Sequence, residues 1–391
     1  MCATSRRASR VHARLIRTAP SATFESPAAS DTIVPKLKFN VKHIANALLH
    51  SNRDLGYLLD DFANNATIST LIGDAIGRDA ARIHPYAGNK EQEMSIARFS
   101  TGVPGLDERL GGGLIPGTTA AIVGASGVGK TQFSLQFLNA GLAAEGSRGV
   151  ILDLTSRGDS QNHAEYAKSR FNWLPEPQDA SKPFSPEEFF DKMSRGERYS
   201  GEYLQAFPYT GRRVTRRDLD EDEWRDWKAD LTKRLDATIA FLYTNFAQGA
   251  RRLVVDGIEP VEHQGDSIQF ELLEYVDQQV VKKDAAWVAR DLFRQNYRAY
   301  EQQIAQTLYS SSELATILSY TSRETSLDTL IDKPLEEGDF FAQANTVIYL
   351  GKIRDGLKFR RAMYIFKHRG SVCSDEIIFY EIDDSGLHVV E

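Results

Sequence analysis

The stretch Gly124-Ala125-Ser126-Gly127-Val128-Gly129-Lys130-Thr131 constrains this chain more than any other. The apolar run Ala120-Ala121-Ile122-Val123 leads into it, and a helical pattern of Phe133, Leu135, Phe137, Leu138 and Leu142 leaves it. Strand, glycine-rich loop and helix in that order describe a phosphate-binding P-loop. The glycines let the backbone curl until its N–H groups converge on an anion at the positive end of the following helix. The expected binding positions are Gly124, Ala125, Ser126, Gly127, Val128, Gly129, Lys130, Thr131 and Gln132. Lys130 is placed to neutralise the outer phosphates, and Thr131 to hold Mg2+ through its hydroxyl.

A nucleotide-binding domain of this kind fits within 391 residues with room for a smaller appendage. No apolar run is long enough to cross a bilayer, so no membrane role is expected. The net charge of -7 argues against a chain that coats nucleic acid non-specifically. Cys2 and Cys373 form neither metal-ligand spacing nor a disulfide framework, which fits a reducing, cytoplasmic setting.

Residues 1–36 read as a disordered tail. Arg6, Arg7, Arg10, Arg14 and Arg17 precede the first acid, Glu25, which is the composition of a transit peptide without the apolar core of a signal peptide. From 37 to 96 the apolar positions Val41, Ile44, Leu48 and Leu49, then Leu55, Leu58, Leu59 and Phe62, then Leu71, Ile72 and Ile76 recur at helical spacing. A small helical segment and a linker are expected there, either capping the main domain or engaging a protein partner.

The main domain is expected over 97–391. It opens with Phe99-Ser100-Thr101-Gly102-Val103-Pro104-Gly105-Leu106-Asp107, followed by Leu110-Gly111-Gly112-Gly113-Leu114-Ile115-Pro116-Gly117 and the P-loop strand. This phrase, with the GxxxxGKT loop after it, resembles the KaiC branch of the RecA-like ATPases, which also includes RadA-type proteins. The resemblance implies an α/β fold, a RecA-like P-loop NTPase with a mainly parallel central sheet. It also implies ATP and Mg2+ as cofactors, and a homo-oligomer, a hexameric ring, with nucleotide between adjacent subunits.

Gly149 to Leu154 reads as the next strand. In the KaiC-like pattern it is followed by two glutamates that polarise the attacking water, and here Thr155 and Ser156 stand in those places. An uncoupled hydroxyl does not readily accept a proton at neutral pH. Asp153, one step back, and Glu259, past the later Asp256 strand, are the substitute candidates. Residues 157–209 are polar and broken by prolines, and are expected as an insertion. The basic run Arg212-Arg213-Val214-Thr215-Arg216-Arg217 is followed at once by Asp218, Asp220, Glu221, Asp222 and Glu223, acids that offset its attraction for DNA and suit a helix N-terminus.

Arg252-Leu253-Val254-Val255-Asp256 is an apolar strand ending in an acid, the pattern of a carboxylate that bonds Mg2+-bound water. Long helical structure is expected from 266 to about 309, and strands over 314–322, 344–350 and 360–366. Thr321 and Ser322 are candidates for sensing the terminal phosphate. Lys367 and Arg369 match the Lys-x-Arg pair that, by the resemblance, reaches from a neighbouring subunit to that phosphate, with His368 between them expected to be exposed. The expected function is an oligomeric ATP switch with slow hydrolysis acting on a protein partner. The alternatives are a RecA/RadA-like DNA motor, which the charge balance disfavours, and an ATP-binding pseudoenzyme.

Overall fold

The computed structural model describes residues 98–155, 162–207, 219–259, 267–333 and 343–390. The tail and helical segment expected before residue 97, Ser156 and the basic run 212–217 lie outside the described residues.

A single sheet organises the domain. Its strands are β1 (Thr118–Gly124), β2 (Val150–Asp153), β3 (Tyr203–Gln205), β4 (Arg252–Ile258), β5 (Ala315–Thr321), β6 (Thr346–Asp355), β7 (Lys358–His368), β8 (Ile378–Asp383) and β9 (Gly386–Val389). They lie in the order β3-β2-β4-β5-β1-β6-β7-β8-β9. Every ladder from β3 to β6 is parallel, and those from β6 to β9 are antiparallel. The fold is therefore the expected α/β arrangement with a mainly parallel sheet. The central strands are continuous apolar runs because helices cover both of their faces.

The helices are α1 (Leu106–Arg109), α2 (Lys130–Ala144), α3 (His163–Phe171), α4 (Pro186–Ser194), α5 (Glu221–Ala247), α6 (Ile268–Val276), α7 (Ala285–Phe293), α8 (Glu301–Ala305) and α9 (Leu327–Asp332). Helix α5 begins on a reciprocal cap: the Asp220 carboxylate accepts from the Asp222 and Glu223 N–H groups while the Glu223 carboxylate accepts from the Asp220 N–H. The acids at 220–223 thus sit at a helix start, as expected. The helical structure expected over 266–309 is present as α6, α7 and α8, with irregular turns between them. A π-turn, Asp277–Val281, follows α6, and a 3-10 turn, Arg294–Ala299, follows α7.

Between β2 and α5, helix α4 starts at the Ser185 cap with Pro186 in its first turn. Phe189 is fully buried and joins the same apolar core as Phe241, Tyr243 and Phe293. Strand β3 adds to the sheet edge beside β2.

Arg252 anchors the opening of the domain. Fully buried, it makes a two-pronged ion pair with Glu145, Nε to Oε2 at 2.6 Å and Nη2 to Oε1 at 2.9 Å. Its Nη1 donates to the carbonyls of Ser100 at 2.6 Å and Phe137 at 2.8 Å, and its guanidinium lies over the rings of Phe99 and Phe137. One side chain therefore joins β4, α2 and the segment that precedes β1.

Candidate functional site

The glycine-rich loop leaves the C-terminal end of β1 and enters α2, where parallel α/β sheets collect ligands. Gly127 and Gly129 have φ of 80° and 108°, conformations that side chains disfavour. A Cβ at Gly127 would meet nothing within 4 Å, so the mouth of the loop is open, whereas one at Gly129 would lie 2.5 Å from Ile382 Cδ1. The loop is also braced from β8, where the Tyr380 hydroxyl donates to the Val128 carbonyl at 2.6 Å.

The preceding sequence phrase is architectural. Asp107 accepts from the Ser100 hydroxyl, the Thr101 hydroxyl and the Thr101 N–H at 2.6, 2.6 and 2.8 Å. At Gly102 a Cβ would come within 2.5 Å of the Gln136 carbonyl oxygen. These residues close the entry segment onto α2 and leave the phosphate chemistry to the loop.

Lys130 is buried at the base of the loop, its Nζ donating to the Ala125 carbonyl at 2.9 Å. Burial holds its pKa below the ordinary lysine value, partly offset by the negative charge of Asp256. The Thr131 hydroxyl donates to Asp256 Oδ2 at 3.2 Å, so the two expected metal-side residues meet although 125 positions separate them. Asp256 is fully buried, which by itself would raise its pKa. A hydrogen bond and charge from His163, together with the Gly257 N–H, hold it below the usual carboxylate range instead.

The residues fit ATP and Mg2+. The open curl at Gly127 and the buried ammonium suit a polyphosphate. A hydroxyl beside one carboxylate suits an ion that takes few protein oxygens and completes its shell with phosphates and water.

The other candidates fall into two groups. Strand β5 lies between β1 and β4, so its end flanks the loop: Thr321 registers with Gly124, and the Ser322 N–H donates to the Gly124 carbonyl at 2.9 Å. Glu259 directly follows β4 at the same end of the sheet and is half-buried. Asp153 is buried, and its two oxygens accept from the Thr155 N–H at 2.8 Å and the Tyr203 hydroxyl at 2.6 Å. Thr155, where the resemblance expects a glutamate, is buried as well.

Lys367 and Arg369 lie elsewhere. Gly124 registers with Leu350, but Thr346 at the start of β6 pairs with His368, so these cations occupy the opposite end of the sheet from the loop of their own chain. Burial and the nearby positive charge of Arg369 hold Lys367 below its ordinary pKa.

His368 corrects an expectation: it is buried, not exposed. Its Nδ1 lies 2.8 Å from the Thr346 hydroxyl and its Nε2 lies 3.1 Å from the Leu110 carbonyl oxygen. Burial, with the charge of Arg98, pushes its pKa below the ordinary 6.5. On acidification the unfolded chain therefore takes up this proton before the folded one does. The stability contributed by neutral His368 is complete above 6.5 and is lost as pH falls from there toward the folded value. The melting temperature should drop as pH falls below about 6.5, and His368→Gln should flatten that drop in a pH series of thermal melts.

Neither His163 nor Tyr203 was among the residues singled out from the sequence. His163 opens α3, where the Asn162 side chain accepts from the Glu165 N–H, and its imidazole turns inward to be almost fully buried, with Nε2 3.0 Å from Asp256 Oδ2. No helix among the described residues is long and apolar enough to cross a membrane.

Residues 99–207 match the family model described as ATPase, KaiC. A UPF0273 protein of Methanopyrus kandleri is 48% identical over 61 residues, which are 16% of this chain and 24% of that one. A UPF0273 protein of Thermotoga maritima is 29% identical over 166 residues, covering 42% of this chain and 56% of the relative. The matches thus span about a quarter and about half of these relatives. The crystal structure of a KaiC-like protein from Pyrococcus horikoshii aligns over 76% of this chain and 100% of its own, at 18% identity and a TM-score of 0.40. The fold assignment rests on the sheet order and not on that alignment. Over residues 99–207 the chain is thus similar to the KaiC ATPase family.

Proposed function

We propose that this protein binds ATP with Mg2+ and works as an oligomeric, slowly hydrolysing switch that acts on a protein partner. The observation that carries the nucleotide reading is the meeting of Lys130, Thr131 and Asp256 at the C-terminal end of the parallel strands. Lys130 would bind the outer phosphates, and Thr131 and Asp256 would hold the metal and its water. Mg2+ supplies charge neutralisation to the phosphates when bound.

Slow hydrolysis follows from Thr155. A general base typically contributes about 10²–10⁴-fold, and a hydroxyl buried at that place does not supply one. Glu259 is the remaining candidate for orienting water. An oligomer is supported by Lys367 and Arg369. At the far end of the sheet from their own loop, they serve a terminal phosphate only if that phosphate belongs to another copy. There they would stabilise charge on the transferring group as an arginine finger does.

Single-turnover ATP hydrolysis combined with sedimentation tests this reading. With ATP and Mg2+ the protein should assemble, and hydrolysis should be slow. Arg369→Ala should lower the rate by about 10³-fold or more without loss of ATP binding. A monomer that hydrolyses ATP at full rate would sink the shared-site reading. Tight DNA binding that weakens steeply with salt would favour the motor instead.

A further inference from the structure

A buried polar chain reaches the metal side of the loop from the sheet edge. The Tyr203 hydroxyl on β3 donates to Asp153 Oδ2 on β2 at 2.6 Å. That same oxygen lies 3.8 Å from His163 Nδ1, and the rings of His163 and Tyr203 pack at 5.7 Å between centroids. On its other side His163 Nε2 lies 3.0 Å from Asp256 Oδ2, the oxygen that also receives the Thr131 hydroxyl. Asp256 Oδ1 is held by the Gly257 N–H at 2.8 Å. Both carboxylates and the imidazole are almost completely buried.

We propose that His163, supported by Asp153 and Tyr203, is a positioning residue that fixes the Asp256 carboxylate for Mg2+ beside Thr131. This rests on the reading of the loop as an ATP–Mg2+ site. With Asp256 Oδ1 held by the Gly257 N–H, the imidazole adds a further fixed contact on Oδ2 beside the Thr131 hydroxyl, which limits rotation of the carboxylate about its last torsion. Asp153 Oδ2 faces Nδ1 at 3.8 Å, a contact and not a hydrogen bond, and the Tyr203 ring packs against the imidazole, so the two confine it in turn. Asp153 then serves as a support one layer behind the metal, with both of its oxygens already occupied.

The test is a Mg2+ titration of the binding of a methylanthraniloyl-labelled ATP to the full chain, alongside binding in EDTA. For His163→Ala the Mg2+ concentration at half-saturation should rise by about 10- to 100-fold, while affinity in EDTA stays as in the wild type. His163→Gln, which restores an N–H donor, should recover most of the shift. Tyr203→Phe, which removes only the hydroxyl on Asp153, should give a smaller shift in the same direction and decides the matter if His163→Ala fails to fold.

An unmoved Mg2+ midpoint in both His163→Ala and Tyr203→Phe overturns the proposal. So does an equal loss of affinity with and without Mg2+, which is the sign of a merely structural role. Lys130→Ala separates the two levels. If it abolishes labelled-ATP binding while the Mg2+ midpoints do not move, the positioning role alone is lost. If the wild type binds no labelled ATP, the reading of the site fails and the proposal with it.

Discussion

Lys130→Ala is expected to weaken ATP binding by about 100-fold or more, because hydrogen bonds to charged groups contribute about 1.5–3 kcal/mol and this ammonium would serve more than one phosphate oxygen. The residue is buried at the base of a loop whose mouth is open, so no exposed lysine can take its place. Burial already disfavours the charge of Lys130, so an anion arriving there restores a favourable environment for it. Calorimetric titration with ATP and Mg2+ reads the effect directly. Affinity within threefold of the wild type would mean that phosphate is bound elsewhere.

Arg252→Ala is expected to destabilise the fold by about 3–5 kcal/mol, the usual consequence of removing one partner of a buried ion pair. More than the Glu145 carboxylate is stranded, since the carbonyls of Ser100 and Phe137 lose their donor and the rings of Phe99 and Phe137 lose what lies between them. Arg252→Lys should recover little, because one ammonium cannot match a planar fork to three acceptor groups. A double change, Arg252→Met with Glu145→Leu, should recover part of the loss by removing the stranded charge, while both carbonyls stay unsatisfied. Urea unfolding monitored by circular dichroism measures all three. A loss below about 1 kcal/mol for Arg252→Ala would show that surrounding groups or water replace its bonds.

Of these two residues only Lys130 stood in legible sequence. The loop is a local device: its turns need Gly127 and Gly129, and its charges stand next to them, so eight consecutive residues announce the site. Asp256 was legible from its context, since it ends an apolar strand about 125 positions after Lys130 and just past an amphipathic helix. Arg252, read only as the start of that strand, gave no hint of burial, since its partners come from positions 100, 137 and 145.

Distance along the chain hid the rest. His163 and Tyr203 lie in polar sequence far from their partners: α3 carries His163 to Asp256, and the pairing of β3 with β2 brings Tyr203 to Asp153. His368 looked exposed because it stands between two cations in a short polar run. The Thr346 hydroxyl and the Leu110 carbonyl that receive it come from distant segments. The break in the helices after α6 was equally hidden. There Asp277 is drawn to Lys282 and to the Thr119 hydroxyl, and the backbone widens into a π-turn.

The brace beneath the phosphate loop has a consequence for how this protein is made. Tyr380 lies 252 positions beyond Val128, the residue it supports, and Ile382 fills the space behind Gly129. During translation the loop therefore emerges 252 residues ahead of the side chain that braces it. The braced form of the loop can exist only once the ribosome has passed β8.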